Sequence, residues 1–195
     1  PAATNRHSWG FWATQGLKEQ TELARQRWHK WQIITAERKV TQTADSHPYC
    51  RLDSRDWLTH CLNIIDGNIQ REPDNLPTPG AKPVFDSRPP NVPDGAMLQH
   101  FKGVEIKAAQ PCFSPDTAIL MDFRCDQSRG IHFIYLLPYS PTEALVESTM
   151  LSPKRQNDEF YAEAIKTYLE TYWATGGWQV NHTEQGCIPM AFVQP

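Results

Sequence analysis

Glu147 lies in Ala144-Leu-Val-Glu-Ser-Thr-Met150, a largely apolar run behind a rigid Ser140-Pro141 turn. In an extended chain Leu145, Glu147 and Thr149 share one face, while Val146, Ser148 and Met150 share the other. A carboxyl among apolar neighbours loses the hydration of its ionised form, so its pKa rises and it keeps a proton that it can donate. Alternation leaves two placements open: a buried general acid, or a glutamate on the solvent face of an edge strand. Asp122 interrupts Ile119-Leu-Met-Asp-Phe123 in the same way, with Asp126 four residues on. Paired acids on adjacent strands could do acid and base work on one substrate. Equally, an aspartate near a strand end can be satisfied by backbone N–H groups. Asp86-Ser-Arg88 sets an acid and a cation near a strand end, or is ordinary turn chemistry before prolines. The seven tryptophans and six tyrosines could line a cavity for a long apolar or cationic species, or simply form core. His7, His47 and His182 stand in polar surroundings and read as exposed; no histidine forms a metal-ligand pair.

These groups must be positioned by a sheet. The span Leu17 to Trp31 reads as a short polar helix giving way to an extended Trp31-Gln-Ile-Ile-Thr35, followed by short strands at Arg38 to Thr43 and Tyr49 to Leu52. Asp53-Ser54 can cap a helix in which Trp57, Leu58, Cys61, Leu62 and Ile65 recur at helical spacing, closed by Gly67. Between Gln70 and Gly95 seven of the sixteen prolines exclude regular elements except a short Pro83-Val-Phe-Asp86 strand. Beyond it Gln99 to Ala108 alternates and Ile119 to Cys125 is apolar. His132 to Leu137 and Ala144 to Met150 form a hairpin around Pro138-Tyr-Ser-Pro-Thr142. Asn157 or Asp158 caps a helix with Phe160, Ala164, Ile165, Tyr168, Leu169 and Tyr172 on one side, ended by Gly176-Gly177. A last strand lies around Trp178 to Asn181. Sequential strands backed by a few helices make an α+β arrangement with a mixed or antiparallel sheet.

The chain has 195 residues and a net charge of −3, with a mean hydropathy of −0.57. No run of about 18 apolar residues is present, which excludes a membrane-spanning helix and leaves attachment to a bilayer surface open. Lys and Arg are scattered singly, so no basic stripe exists for nucleic acid. Cys50, Cys61, Cys112, Cys125 and Cys187 show no C-x-x-C pair and an odd count. They read as buried thiols of a reducing compartment, the cytoplasm. G-x-G-x-x-G, G-x-x-x-x-G-K, G-x-S-x-G and H-E-x-x-H are all missing from the sequence. Pro1 without Met and the apolar Ala191-Phe192-Val193 suggest an internal piece of a longer protein.

Several ordered segments carry a resemblance. They are Asn5-Arg-His-Ser-Trp-Gly-Phe11, Asp86-Ser-Arg88, Gln99-His-Phe-Lys-Gly103, Met121-Asp122, Asp126-Gln127 and Phe133-Ile-Tyr-Leu-Leu-Pro-Tyr-Ser-Pro-Thr142. Val146-Glu147-Ser-Thr149, Gly177-Trp-Gln179, Glu184-Gln-Gly186 and Ile188-Pro-Met190 continue them almost to the end. Taken in this order they resemble the bacterial lycopene β-cyclases, whose Ile-Glu-Asp-Thr or Leu-Glu-Glu-Thr site falls on Val146 to Thr149. The resemblance implies a flavoprotein fold like that of p-hydroxybenzoate hydroxylase. Residues 1–95 would then be part of an FAD-binding domain lacking its glycine-rich start, and residues 96–195 a substrate-binding sheet and helix lacking a C-terminal part.

The implied reaction closes the ends of lycopene, or a related acyclic carotenoid, into β-ionone rings without net redox change. Reduced FAD would stabilise the cation, with NAD(P)H needed only to reduce it. The family's essential glutamate falls on Glu147, and Asp122 is a second candidate for orienting it or taking the proton back. Asp86 and Arg88 occupy the family's Asp-Gly-Arg turn as candidate flavin contacts, although Pro89 has no N–H to offer there. The acid that follows the glutamate in other members is Ser148 here. A protein of this kind would sit peripherally on a membrane, and the piece alone is expected to be inactive. The alternatives are a related flavin monooxygenase or reductase on a polyprenoid, and a non-catalytic carotenoid- or lipid-binding module.

Overall fold

A computed structural model describes residues 6–65 and 92–190. In chain order the elements are β1 (Ser8–Trp12), a 3-10 turn (Gln15–Leu17), α1 (Lys18–Leu23), β2 (Gln26–Trp28), β3 (Lys30–Ile34), β4 (Lys39–Thr43) and β5 (Tyr49–Asp53). They continue with α2 (Ser54–Ile64), β6 (Leu98–Ala108), β7 (Thr117–Asp122), β8 (Ile131–Pro138), β9 (Glu143–Ser152), α3 (Asp158–Tyr172) and β10 (Trp178–Pro189). Seven strands form one sheet in the order β10-β6-β9-β8-β7-β3-β4, and three form a second in the order β1-β5-β2. Every pairing is antiparallel except that of β3 with β7. Strands from both sides of residue 95 therefore share the large sheet. The sheet is mixed, as the α+β pattern predicts.

Three layers result, because the large sheet buries both its faces. On one face α3 lays Ile165, Tyr168 and Leu169 over Val104, Ile106, Ile134, Leu136 and Val146. On the other, Trp28 of the small sheet packs with Ala118, Leu120, Leu137 and Leu145, flanked by Tyr49, Tyr135 and Tyr139. Strands covered on both sides read as nearly continuous apolar runs, which is why Phe133 to Leu137 and Ala144 to Val146 carry so little alternation. The face turned to the small sheet is the one that bears Glu147. Asn157 caps α3 by accepting the N–H of Phe160 at 3.1 Å, satisfying one of the orphan donors of the first turn. Gly176 and Gly177, at φ 63° and 101°, turn the chain from α3 into β10 at angles that a side chain would resist.

The two sheets are joined by buried charge. Arg51 of β5 donates to Oε1 of Glu105 at 2.6 Å and lies 4.4 Å over the Tyr139 ring. Arg6 reaches Asp53 at 2.7 Å and Glu105 at 2.8 Å. Asp53 caps α2 through the N–H of Arg55. Burial alone would raise the Asp53 carboxyl, but its hydrogen bonds to Arg6 and Arg55 prevail and hold it down at about 2.

Four sequence expectations change in the structure. The helix after Asp53 forms, but α2 buries no residue and leaves Leu58, Leu62, Ile64 and Ile65 exposed. The last strand runs on past Asn181 to Pro189, and a strand forms at Ser8–Trp12 where none was predicted. Among the five free thiols only Cys50 is buried, and Cys187 is exposed on the outer strand β10. The predicted Pro83-Val-Phe-Asp86 strand, Asp86 and Arg88 lie outside the described residues.

Candidate active site

Between the two sheets lies a cavity of about 360 Å³ whose lining includes Trp9, Tyr49, Phe101, Tyr135, Leu145 and Glu147. Glu147 is the acid in an apolar and aromatic wall. Its position follows from the register: Glu147 stands opposite Gly103 of β6 and Tyr135 of β8, and Gly103 in turn stands opposite Glu184 of β10. Directly opposed residues of antiparallel strands share a face. Glu184, Gly103, Glu147 and Tyr135 thus form one row across four strands, turned toward β1 and β5.

Glycines leave room for the side chains of this row. A Cβ on Gly10 would lie 2.0 Å from the Tyr49 hydroxyl, and one on Gly186 would lie 2.6 Å from the Phe101 ring. Both rings therefore rest on bare backbone. A Cβ on Gly103 would be 3.2 Å from Cγ of Glu184 and 3.3 Å from Oε2 of Glu147. Cδ1 of Leu145 would be as close, at 3.2 Å, so the space above Gly103 is filled by Leu145 and the two glutamates together.

The Thr149 hydroxyl donates to Oε1 of Glu147 at 2.6 Å, and no cation pairs with this carboxyl among the described residues. Glu147 keeps a partly accessible edge toward the cavity, while protein crowds its other sides. Burial pushes it up to about 8; the Thr149 hydrogen bond opposes this and the nearby Glu184 adds to it. Burial likewise raises Tyr135 to about 12 and raises Tyr49. Both phenols stay neutral, so their rings offer the cavity a negative face without a charge.

This arrangement sets a sign for stability against pH. The unfolded glutamate ionises near 4.5 and the folded one near 8, so the folded state binds the extra proton in between. The contribution is complete below 4.5 and is lost as pH rises through 8. Glu147→Gln removes this dependence. Its stability relative to the parent protein should improve by roughly 2–3 kcal/mol from pH 4.5 to 8.5, allowing for partial solvent access. Urea unfolding of both proteins at the two pH values measures it, and parallel changes would contradict the buried acid.

Asp122 is not brought to Glu147. It faces α3 on the opposite side of the sheet, where Arg124 grips it at 2.6 and 2.9 Å and the Tyr168 hydroxyl donates to it at 2.9 Å. Asp126 is exposed and bonded to Ser128. Ser148 also faces α3, where its hydroxyl meets Nε2 of His132 at 2.8 Å. His132 Nδ1 bonds the carbonyl of Asp126, and burial lowers its pKa. The neutral ring thus donates from Nδ1 and accepts from Ser148. Sequence reasoning missed Glu184 and His7. His7, read as exposed, is half-buried at the cavity, and its Nδ1 is 3.7 Å from Glu184. The signal for both lay in segments that carry the resemblance, Asn5 to Phe11 and Glu184 to Gly186.

The lycopene cyclase protein family matches residues 73–195, more than half of the chain. This chain belongs to the lycopene cyclase family. It is 36% identical over 96 residues to a lycopene beta-cyclase of Paracoccus sp., covering 48% of this chain and 24% of that protein. It is 33% identical over 116 residues to a lycopene beta-cyclase of Pantoea ananas, covering 57% and 29%. The matched part thus spans about a quarter of the length of these curated relatives. Its fold is similar to that of a geranylgeranyl bacteriochlorophyll reductase-like protein from Thermoplasma acidophilum. That match has a TM-score of 0.56 at 10% identity and covers 93% of this chain and 56% of that one.

The flavin implied by the resemblance needs a cradle for its pyrophosphate, a glycine-rich turn at a helix N-terminus. The described residues of this cyclase-family chain do not fit it. α2 starts on Asp53 and Asp56, and α3 starts on Asp158 and Glu159, so both ends already meet their own acids. No group of three or more His, Cys, Asp or Glu among the described residues is placed to hold a metal ion.

Proposed function

We propose that this chain carries the substrate site of a lycopene β-cyclase, in which Glu147 is the general acid. The observation that carries this reading is a neutral carboxyl, held up at about 8, in the wall of an aromatic cavity. An acyclic carotenoid offers only alkenes, so recognition must be apolar and chemistry must begin with a proton. Glu147 gives its proton to the terminal double bond, and the resulting cation is attacked by the neighbouring alkene. The ring cation then returns a proton to the Glu147 carboxylate, and the substrate is isomerised with no net gain or loss of electrons. The faces of Tyr49, Phe101 and Tyr135 stabilise the positive charge while it lasts. A volume of about 360 Å³ stands near the lower end of the roughly 300–1,000 Å³ of small-molecule sites. It suits one end of a long polyene, leaving the rest outside.

In this reading a flavin is held by parts of the protein beyond the described residues, with NAD(P)H serving to reduce it. No described helix is long and apolar enough to cross a membrane; the substrate would be taken from a membrane surface by a peripheral enzyme on its cytoplasmic side. Asp122, turned to α3, has no part in the proposed chemistry. Pigment analysis of a lycopene-producing host carrying the full-length gene tests the function. Accumulation of a carotenoid with β-ionone ends is expected. Hydroxylated or hydrogenated products would point instead to a monooxygenase or reductase, and unchanged lycopene to a binding module.

A further inference from the structure

Glu184 has no role in the reaction as drawn, yet it is 5% exposed and faces the same side as the acid. Its Oε2 accepts the N–H of Ser8 at 2.7 Å, and its Oε1 is buried without any hydrogen-bond partner. An ionised carboxylate in that position leaves buried lone pairs empty, whereas a protonated one has an O–H to give. The geometry favours sharing. β10 and β9 flank β6, both glutamates stand opposite Gly103, and both side chains lean into the space that a Cβ there would occupy.

We propose that Glu184 is a positioning residue for the acid: where their side chains converge over Gly103 the two carboxyls hold at most one negative charge between them, and this keeps the proton on Glu147. The proposal rests on the reading of Glu147 as the acid. Two buried carboxyls this close cannot both ionise cheaply, so the first proton lost from the pair suppresses loss of the second. Burial raises Glu184 as well, against the N–H of Ser8 and the nearby His7 and His182. The other groups that face the pair are Glu105 of β6, Tyr49 of β5 and Tyr135 of β8. Arg6 and Arg51 are engaged by Glu105 and Asp53, so neither neutralises the pair.

The test is carboxyl titration of the full-length protein by NMR with ¹³C-labelled glutamate, the Glu147 signal being assigned by its loss in Glu147→Gln. In Glu184→Gln the midpoint of Glu147 should fall by about one pH unit or more. The alkaline limb of the kcat profile should fall with it, a shift that a merely structural residue would not cause. Glu184→Asp, still charged but one methylene shorter, should move the midpoint the same way by less. If Glu184→Gln fails to fold, Glu184→Asp decides alone. An unmoved midpoint overturns the coupling and leaves the cyclase reading intact. A moved midpoint in a protein that forms no cyclic carotenoid upholds the coupling and overturns the cyclase reading.

Discussion

Glu147→Gln in the full-length protein should cut ring formation by on the order of 10² to 10⁴ while leaving folding nearly intact. Glutamine keeps the volume, and its carbonyl can still accept the Thr149 hydroxyl that now binds Oε1 at 2.6 Å. It cannot supply a proton, and it cannot hold a negative charge beside a cation. Ser148→Ala, one residue away, is the control. Ser148 faces α3 and satisfies His132, so its loss should cost about 1–2 kcal/mol of stability and little turnover. Cyclised product measured per folded molecule separates the two variants. Near-normal turnover by Glu147→Gln would move the acid elsewhere in this cavity, with the family assignment unaffected.

The contrast between these neighbours was legible in the sequence, because alternation alone puts residues 147 and 148 on opposite faces. What alternation could not say was which face meets a cavity. β8 and β9 are buried on both sides, by α3 and by the small sheet, so neither face is marked by exposure. Only the docking of β1 and β5 over the Glu147 face distinguishes them. That docking depends on Arg6, Arg51, Asp53 and Glu105, whose long-range pairing no local spacing announces.

Glu184 was illegible for a related reason. It sits in Val180-Asn-His-Thr-Glu-Gln-Gly186, a polar run without the apolar alternation that announces a strand. As the outer strand of the sheet, β10 buries little besides Glu184 itself. The residue acquires meaning only through pairing with β6, which sets it opposite Gly103. α2 fails in the opposite direction: Leu58, Leu62 and Ile65 keep helical spacing and the helix forms, yet spacing does not supply a partner, and among the described residues that stripe stays exposed.

Asp122 shows how one local pattern can conceal two fates. It interrupts an apolar strand much as Glu147 does, but the register of β7 shifts against β8 between Ile119 and Asp122. Asp122 stands opposite Ile134 and turns to α3, against Arg124 and Tyr168. Asp122→Ala should therefore act on stability and spare the chemistry. The substitution strands the Arg124 guanidinium, which now lies 3.8 Å over the Tyr172 ring and donates to both carboxylate oxygens. It also leaves the buried Tyr168 hydroxyl without its acceptor. Removing one partner of a buried ion pair typically costs about 3–5 kcal/mol. With the Arg124 side chain 27% exposed, water can recover part of that, and the loss should fall near the lower figure. Urea unfolding would show the midpoint displaced downward, with cyclised product per folded molecule close to that of the parent protein. This is the mirror image of the outcome expected for Glu147→Gln, fold kept and reaction lost. A fully folded Asp122→Ala protein that made no rings would return Asp122 to the chemistry, acting through the sheet from the face opposite the cavity.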